Sequence, residues 1–221
     1  MKAAIFDLDG TILDSMGMWR DLEVRFLTGL GIRPAERVFR TMDTLGLHGS
    51  AGWLIAEFGL DKRQEELWEF CDRLALEGYL TQVSPKPGAE QALRALRRRG
   101  IRTAIATLTA HQLVDPVLEA KGLTPLFDQI LTVEDVGGIK KDRPDLFLKA
   151  AALLDAKPEE AAVFEDSLYA IRTAVAAGFP VIAIADPAAA QDEPEIRRLS
   201  NRYLTGWEQL EQELQQATPV G

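Results

Sequence analysis

A chain of 221 residues and 24.4 kDa is long enough for one domain plus a smaller one, with a substantial core. Its apolar and charged fractions, 47% and 27%, are those of a globular protein, and 25 Lys and Arg against 34 Asp and Glu give a net charge of −9. That balance lacks the basic face that nucleic acid or an anionic membrane surface requires, so neither is expected as a partner.

Ala3-Ala4-Ile5-Phe6 is an apolar run long enough for a buried parallel strand and too short for a helix or the core of a signal peptide. It runs straight into Asp7-Leu8-Asp9-Gly10-Thr11. In an open α/β sheet, ligands sit beyond the carboxyl ends of the strands, so a D-x-D there aims two carboxylates into a crevice. Alternation turns both one way if the strand continues. Neighbouring carboxylates repel, and a divalent cation offsets the repulsion. Taken alone, Asp-Leu-Asp-Gly reads equally well as a strand-ending turn.

From Asp14 to about Gln82 the texture is helical. Trp19, Glu23, Phe26, Leu27 and Leu30 follow helical spacing up to a stop at Gly31, and further helices are expected over 35–45, 49–58 and 64–79. Asp61 and Gln64 read as a capping box for the last of these. Trp53 and Trp68 are assigned to the core of this small bundle. Trp19 and His48 are its candidates for substrate contact, although an ordinary loop histidine is the better reading of His48. The single cysteine, Cys71, excludes an internal disulfide and fits a reducing, cytoplasmic compartment; it shares an apolar face with Leu67, Phe70 and Leu74, as core filler does.

Val83-Ser84-Pro85-Lys86-Pro87-Gly88 interrupts this pattern as a stiff connector. Helices and strands then alternate. A helix over 89–99 ends at Gly100, and a strand over 101–107 follows. The next helix starts at Thr109 or Asp115 and is kinked or begun by Pro116; Thr109 reads as its N-cap, paired with Gln112. A strand over 129–133, a helix over 144–154 with Pro144 in its first turn, a strand over 161–164, a helix over 167–177 closed by Gly178 and a strand over 181–185 complete the series. The longest apolar stretch, 174–185, is broken by Gly178 and Pro180 and cannot span a bilayer. After Pro194, Trp207-Glu208-Gln209-Leu210 reads as a short closing helix. This order requires a parallel sheet with right-handed crossovers, a Rossmann-like α/β core flanked by helices. Residues 1–14 and 83–221 are expected to form that core domain. Residues 15–82 are expected to form an inserted α-helical domain over the sheet's carboxyl edge.

Four points fall at carboxyl ends of the expected strands: Asp7 with Asp9, Thr107, Lys141, and Glu165-Asp166-Ser167. These are residue types that bind phosphate and metal. Glu134-Asp135 could pose as a rival metal pair, but a solvated loop is the better reading, and His111 has no metal-type partners in the sequence.

With FDLDGT at 6–11 and FEDS at 164–167, the chain resembles the haloacid dehalogenase superfamily of aspartyl-phosphate hydrolases. The resemblance covers nearly the whole chain. It points to the helical-cap branch that holds phosphoglycolate phosphatase and β-phosphoglucomutase. It implies Asp7 as nucleophile and Asp9 as general acid, then base. It implies Mg²⁺ held by Asp7, the Asp9 carbonyl and Asp166, with Glu165 acting directly or through water. Thr107 and the Leu108 N–H would bind phosphoryl oxygens, Lys141 would neutralise developing charge, and Gly10 would let the chain turn beside the phosphate. The family pattern Lys-Pro-x-Pro-Asp, set in register on Pro144, favours Lys141 over its neighbour Lys140 and puts Asp142 where the family has its first proline. The resemblance further implies a cap that opens and closes on hinges near 14–17 and 82–87.

Asp9 excludes a dehalogenase, which has no alkoxide to protonate. A β-phosphoglucomutase-like mutase uses a cap arginine and a hinge histidine, whereas residues 48–52 contain no arginine and Trp19 stands in the hinge. The expected activity is therefore a phosphatase acting on a small phosphorylated metabolite, with a sugar, polyol or organic acid equally compatible. A non-catalytic binding module on the same fold is the remaining alternative, disfavoured by the intact acid pair. Oligomeric state is not indicated.

Overall fold

A computed structural model of the protein describes residues 1–46 and 49–216. In chain order its elements are β1 (Ala3–Phe6), α1 (Met16–Gly29), α2 (Glu36–Leu45), α3 (Ala51–Phe58), α4 (Gln64–Thr81), α5 (Ala89–Arg98), β2 (Arg102–Thr107) and α6 (His111–Ala120). There follow β3 (Gln129–Thr132), α7 (Asp145–Leu153), β4 (Ala161–Glu165), α8 (Leu168–Ala176), β5 (Val181–Ile184), α9 (Glu193–Leu199), β6 (Arg202–Leu204) and α10 (Trp207–Gln216). The chain divides into two compact units, Met1–Asp14 with Ser84–Gly221, and Ser15–Val83.

The first unit is built on one sheet of six parallel strands in the order β3-β2-β1-β4-β5-β6. Strand β1 is central because all four of its residues are apolar and fully buried, which only a strand covered on both faces can satisfy. Its alternation sorts them. Ala3 and Ile5 join the cluster made with Leu146, Phe147 and Ala150 of α7 and Ala170, Ile171 and Ala174 of α8. Phe6 turns to the other face, where it stacks on Phe164 at 4.5 Å, and Phe164 stacks in turn on Trp207 of α10 at 5.5 Å. From β1 the chain winds outward through β2 and β3, then returns to β4 on the opposite side. The carboxyl ends of β1 and β4 thus face a reversal of strand order, the place where such sheets open a crevice for ligand.

Several local expectations are corrected. Helix α6 begins at His111 with Ala110 at its N-cap, so Thr109 is not the cap and Pro116 lies inside the helix. The Gln129–Thr132 strand runs on into a short 3-10 turn, Val133–Val136, rather than through residue 133. Strand β6 and helix α9 were not expected: three residues, Arg-Tyr-Leu, are too few for a periodic signal, and seven residues carrying four charges hide an apolar face of which Ile196 is the buried member.

The second unit contains α1 to α4. Met18, Leu22, Phe26 and Leu27 of α1 and Leu67, Cys71, Leu74, Ala75 and Tyr79 of α4 are buried, with Leu54 of α3. Gly78 allows the close approach of α1, since a Cβ there would meet Met18 Cγ at 2.7 Å. Trp53 and Trp68 are half-buried rather than core residues; Trp53 meets Phe58 edge-on at 6.0 Å. Trp19 is also half-buried, edge-on to Tyr79 at 5.7 Å. The start of α4 is closed by Glu66, whose carboxylate accepts from the Arg63 N–H at 2.8 Å, not by an Asp61–Gln64 box. Cys71 is buried, and burial pushes its thiol up to about 12, an inert packing residue. His48 lies outside the described residues.

Candidate active site

The site assembles where β1, β2 and β4 end side by side. The Asp7 N–H still bonds Phe164 O at 2.9 Å, the last rung between β1 and β4, so the carboxylate of Asp7 leaves the sheet beside that of Glu165. The chain then turns sharply through Gly10 at φ +79°, a conformation costly to any residue with a Cβ. Space demands glycine as well, since a Cβ at position 10 would lie 2.5 Å from Asp166 Oδ2. Thr11 follows and donates its hydroxyl to Asp166 Oδ1 at 3.1 Å.

Asp7, Glu165 and Asp166 bring one carboxylate oxygen each within 4.8 Å of one another, and all three residues are buried. Lys141 reaches them from the loop before α7. Its ammonium is 1% exposed, lies over the Phe147 ring at 5.5 Å, and contacts Asp7 Oδ1 and, at 2.8 Å, Glu165 Oε1. Lys140 is exposed, so burial separates the two lysines. Asp142, the residue in place of the family proline, is also exposed, and an Arg143 N–H to Lys140 O bond of 3.1 Å closes the turn without it. The remaining Glu165 oxygen, Oε2, accepts from the N–H groups of Asp166 and Ser167 at 2.8 and 2.7 Å. Glu165 thus shapes the loop that presents Asp166.

Three buried carboxylates face one buried ammonium, and the electrostatics follow. Burial pushes the Asp7 carboxyl up to about 7; Lys141 opposes this, while Glu165 and Asp9 reinforce it. Asp166 is raised by burial first, then by Glu165 and Asp7. Burial works against the Lys141 ammonium, but Asp7 and Glu165 outweigh it and hold its pKa above the usual lysine value. Negative charge in excess inside an all-oxygen donor set suits a hard divalent cation, so the residues present fit Mg²⁺. A test follows from the signs. Folded protein binds more protons at Asp7 than unfolded protein does between about pH 4 and 7, so this group lowers stability as pH rises through that window, and Asp166 acts in the same direction. The cation competes with those protons. Mg²⁺ at one fixed concentration, about a hundred times its Kd at pH 8, is expected to raise Tm by roughly 5–10 °C at pH 8 and by clearly less at pH 5.5, measured by thermal melts.

Asp9 does not join the acidic cluster. Its Oδ2 accepts from Thr109 Oγ1 at 2.7 Å. Thr107, 1% exposed, ends β2, and its hydroxyl oxygen accepts from the Thr109 N–H at 3.1 Å. Leu108 sits between them in the same loop. Glu134 is exposed and Asp135 half-buried, and both brace their surroundings: Asp135 accepts from the Thr132 N–H at 2.8 Å, and Glu134 accepts from the His111 N–H at 3.1 Å. His111 itself is held between Asp115 and Asp135 at 3.2 and 2.9 Å.

Three features were not read from the sequence. Thr11, within FDLDGT, carries no sequence cue to its partner Asp166. Trp207, fully buried, donates its indole N–H to Thr11 O at 3.0 Å and so pins the Asp7–Thr11 loop from 196 residues away. Lys86 pairs with the buried Asp186 at 2.8 Å, and a lysine in a Pro-rich connector carries no sequence cue to that partner. A Trp207→Phe change keeps the ring stack and leaves the Thr11 carbonyl without its indole partner, with an expected cost of about 1–3 kcal/mol in urea unfolding.

A family model described as haloacid dehalogenase-like hydrolase matches residues 1–178. The chain belongs to the haloacid dehalogenase-like hydrolase family. Among curated relatives, it is 28% identical to a phosphoglycolate phosphatase of Aquifex aeolicus over 167 residues, 76% of each chain. It is 26% identical to hexitol phosphatase B of Escherichia coli over 194 residues, 86% of each chain. Among solved structures, a putative β-phosphoglucomutase from Thermotoga maritima superposes with a TM-score of 0.77 at 21% identity, covering 98% of this chain and 100% of the other, a likeness of fold. As a haloacid dehalogenase-like hydrolase with phosphatase relatives, the protein carries its buried acids, lysine and threonine on that shared scaffold. Among the described residues, no helix is long and apolar enough to cross a membrane.

Proposed function

We propose that the protein is a cytoplasmic, Mg²⁺-dependent phosphatase that hydrolyses a small phosphorylated metabolite through a phosphorylated Asp7. The observation that carries this reading is the convergence of Asp7, Glu165 and Asp166 within 4.8 Å around Lys141. Asp7 and Asp166 would hold the cation, with the Asp9 carbonyl; Glu165, whose two oxygens already accept three hydrogen bonds, would act through the loop or a water. When bound, the cation supplies charge neutralisation between the phosphate and the Asp7 carboxylate.

The protein's own groups account for the remaining steps. Lys141, Thr107 and the Leu108 N–H bind the phosphoryl oxygens. An Asp7 oxygen attacks phosphorus, the ester P–O bond breaks, and the Asp9 carboxyl gives its proton to the departing oxygen, releasing the alcohol. A water then attacks the phosphorylated Asp7, its proton passes to Asp9, and inorganic phosphate leaves with both carboxyl groups restored. Thr107 suits its role because its oxygen already accepts from Thr109, which turns the hydroxyl proton outward as a donor. The helical unit, residues 15–83, is assigned to substrate selection as a cap, with Trp19 a candidate contact.

The test is phosphate release from p-nitrophenyl phosphate and a panel of phosphorylated metabolites, with and without Mg²⁺. Phosphorylated organic acids and polyols head the panel, in line with the names of the two relatives. Release that needs Mg²⁺, stops with chelator and returns on re-addition is the expected result. Silence of the parent enzyme across the panel would favour a binding module. Conversion of β-glucose 1-phosphate to glucose 6-phosphate faster than phosphate release would favour a mutase.

A further inference from the structure

We propose that Thr109 is a positioning residue for Asp9, holding the carboxyl group that exchanges a proton with the leaving oxygen. The inference rests on the phosphatase reading and extends it to a residue outside FDLDGT and FEDS. Asp9 lies in the loop after β1, where no strand ladder fixes its side chain. Thr109 lies in the loop between β2 and α6, and that loop is anchored on both sides: the Thr109 N–H donates to Thr107 Oγ1 at 3.1 Å, and the His111 N–H donates to Glu134 Oε2 at 3.1 Å. From this framed position the Thr109 hydroxyl reaches Asp9 Oδ2 at 2.7 Å, joining residues 100 apart in the chain.

The chemistry of a hydroxyl suits the task. It donates to a carboxylate and accepts from a carboxylic acid, so one side chain holds Asp9 both before and after its proton is given away. A bond to Oδ2 restrains rotation of the carboxyl group and so the position from which its proton is given. The same loop residue bonds Thr107, so placement of the phosphoryl-binding hydroxyl and of the acid are linked. Misplacement by an ångström costs on the order of a hundredfold when the geometry of attack is at stake.

The experiment compares parent, Thr109→Val and Thr109→Ser by kcat/KM on two esters: p-nitrophenyl phosphate, whose leaving group departs without a proton, and the best alkyl phosphate monoester from the panel, whose alkoxide needs one. Valine keeps the β-branched shape and loses the hydroxyl; serine keeps the hydroxyl. Thr109→Val is expected to lower kcat/KM on the alkyl ester by about 10–100-fold, a fraction of the 10²–10⁴ that general acid catalysis supplies, and on p-nitrophenyl phosphate by less than about threefold. Thr109→Ser is expected to stay within a few-fold of the parent on both. Equal losses on the two esters, no loss with valine, or a serine variant as impaired as valine would overturn the proposal. A parent enzyme that releases phosphate from neither ester overturns the phosphatase reading itself, a result distinct from an active parent indifferent to Thr109.

Discussion

Asp7→Asn is expected to abolish turnover, by about 10⁴-fold or more, because an amide cannot act as the nucleophile proposed for Asp7. Loss of activity alone would not separate chemistry from folding, but here the two diverge in sign. Burial holds the Asp7 carboxyl at about 7 in the metal-free protein, so its charge is a burden that asparagine removes. Lys141 keeps Glu165 at 2.8 Å. The metal-free variant should therefore melt at or above the parent's temperature at pH 8, while its Mg²⁺-induced rise in Tm shrinks for want of one ligand. A variant that retained even a hundredth of the parent rate would remove Asp7 from the reaction.

Lys141→Met should cost both activity and stability. The ammonium is the buried cation between Asp7 and Glu165, at 1% exposure. Removing one partner from a buried ion pair leaves an uncompensated charge and costs about 3–5 kcal/mol, which for a chain of this size is a fall in Tm of roughly 6–20 °C. The pH dependence has a definite direction. Asp7 without its counter-ion takes up a proton more readily, so the loss should be largest at pH 8 and smaller at pH 5.5, where a protonated Asp7 needs no partner. Saturating Mg²⁺ should restore part of the lost stability. Activity should fall by about 10²–10³-fold, the scale for losing one preorganised charge partner of a developing anion. A Tm that moved equally at both pH values would mean that the ammonium stabilises the fold by packing alone.

The legible part of this protein was the part written locally. A four-residue apolar strand, a following D-x-D and a glycine that must turn can each be read in place, and periodicity marked the alternating strands and helices well enough to require a parallel sheet, though not its strand order. The family pattern read back from Pro144 favours Lys141 over Lys140; the structure buries Lys141 and leaves Lys140 exposed. What could not be read was pairing at a distance. Nothing around Thr109 distinguishes a helix cap from a partner of Asp9, because both use the same hydroxyl at a loop-helix junction. Trp207 reads from the sequence only as part of a short closing helix, and its hydrogen bond to Thr11 depends on how α10 lies against the sheet. The tryptophans of the helical unit were misjudged for the converse reason: large apolar residues were equated with core, whereas leucines, Phe26 and Tyr79 fill it.

The central place of β1 has a consequence for how the chain is made. The ribosome produces this apolar strand early, yet both of its hydrogen-bonding neighbours come late: β2 pairs it from residue 102 and β4 from residue 161. At about 5–20 residues per second, roughly 8–30 s pass before β4 is synthesised. Until β2 is made Ala3–Phe6 has unsatisfied edges on both sides, and until β4 is made it keeps one, an arrangement prone to wrong pairing with other nascent chains. Translation rate and chaperone supply should accordingly govern the yield of folded protein more strongly than its final stability does.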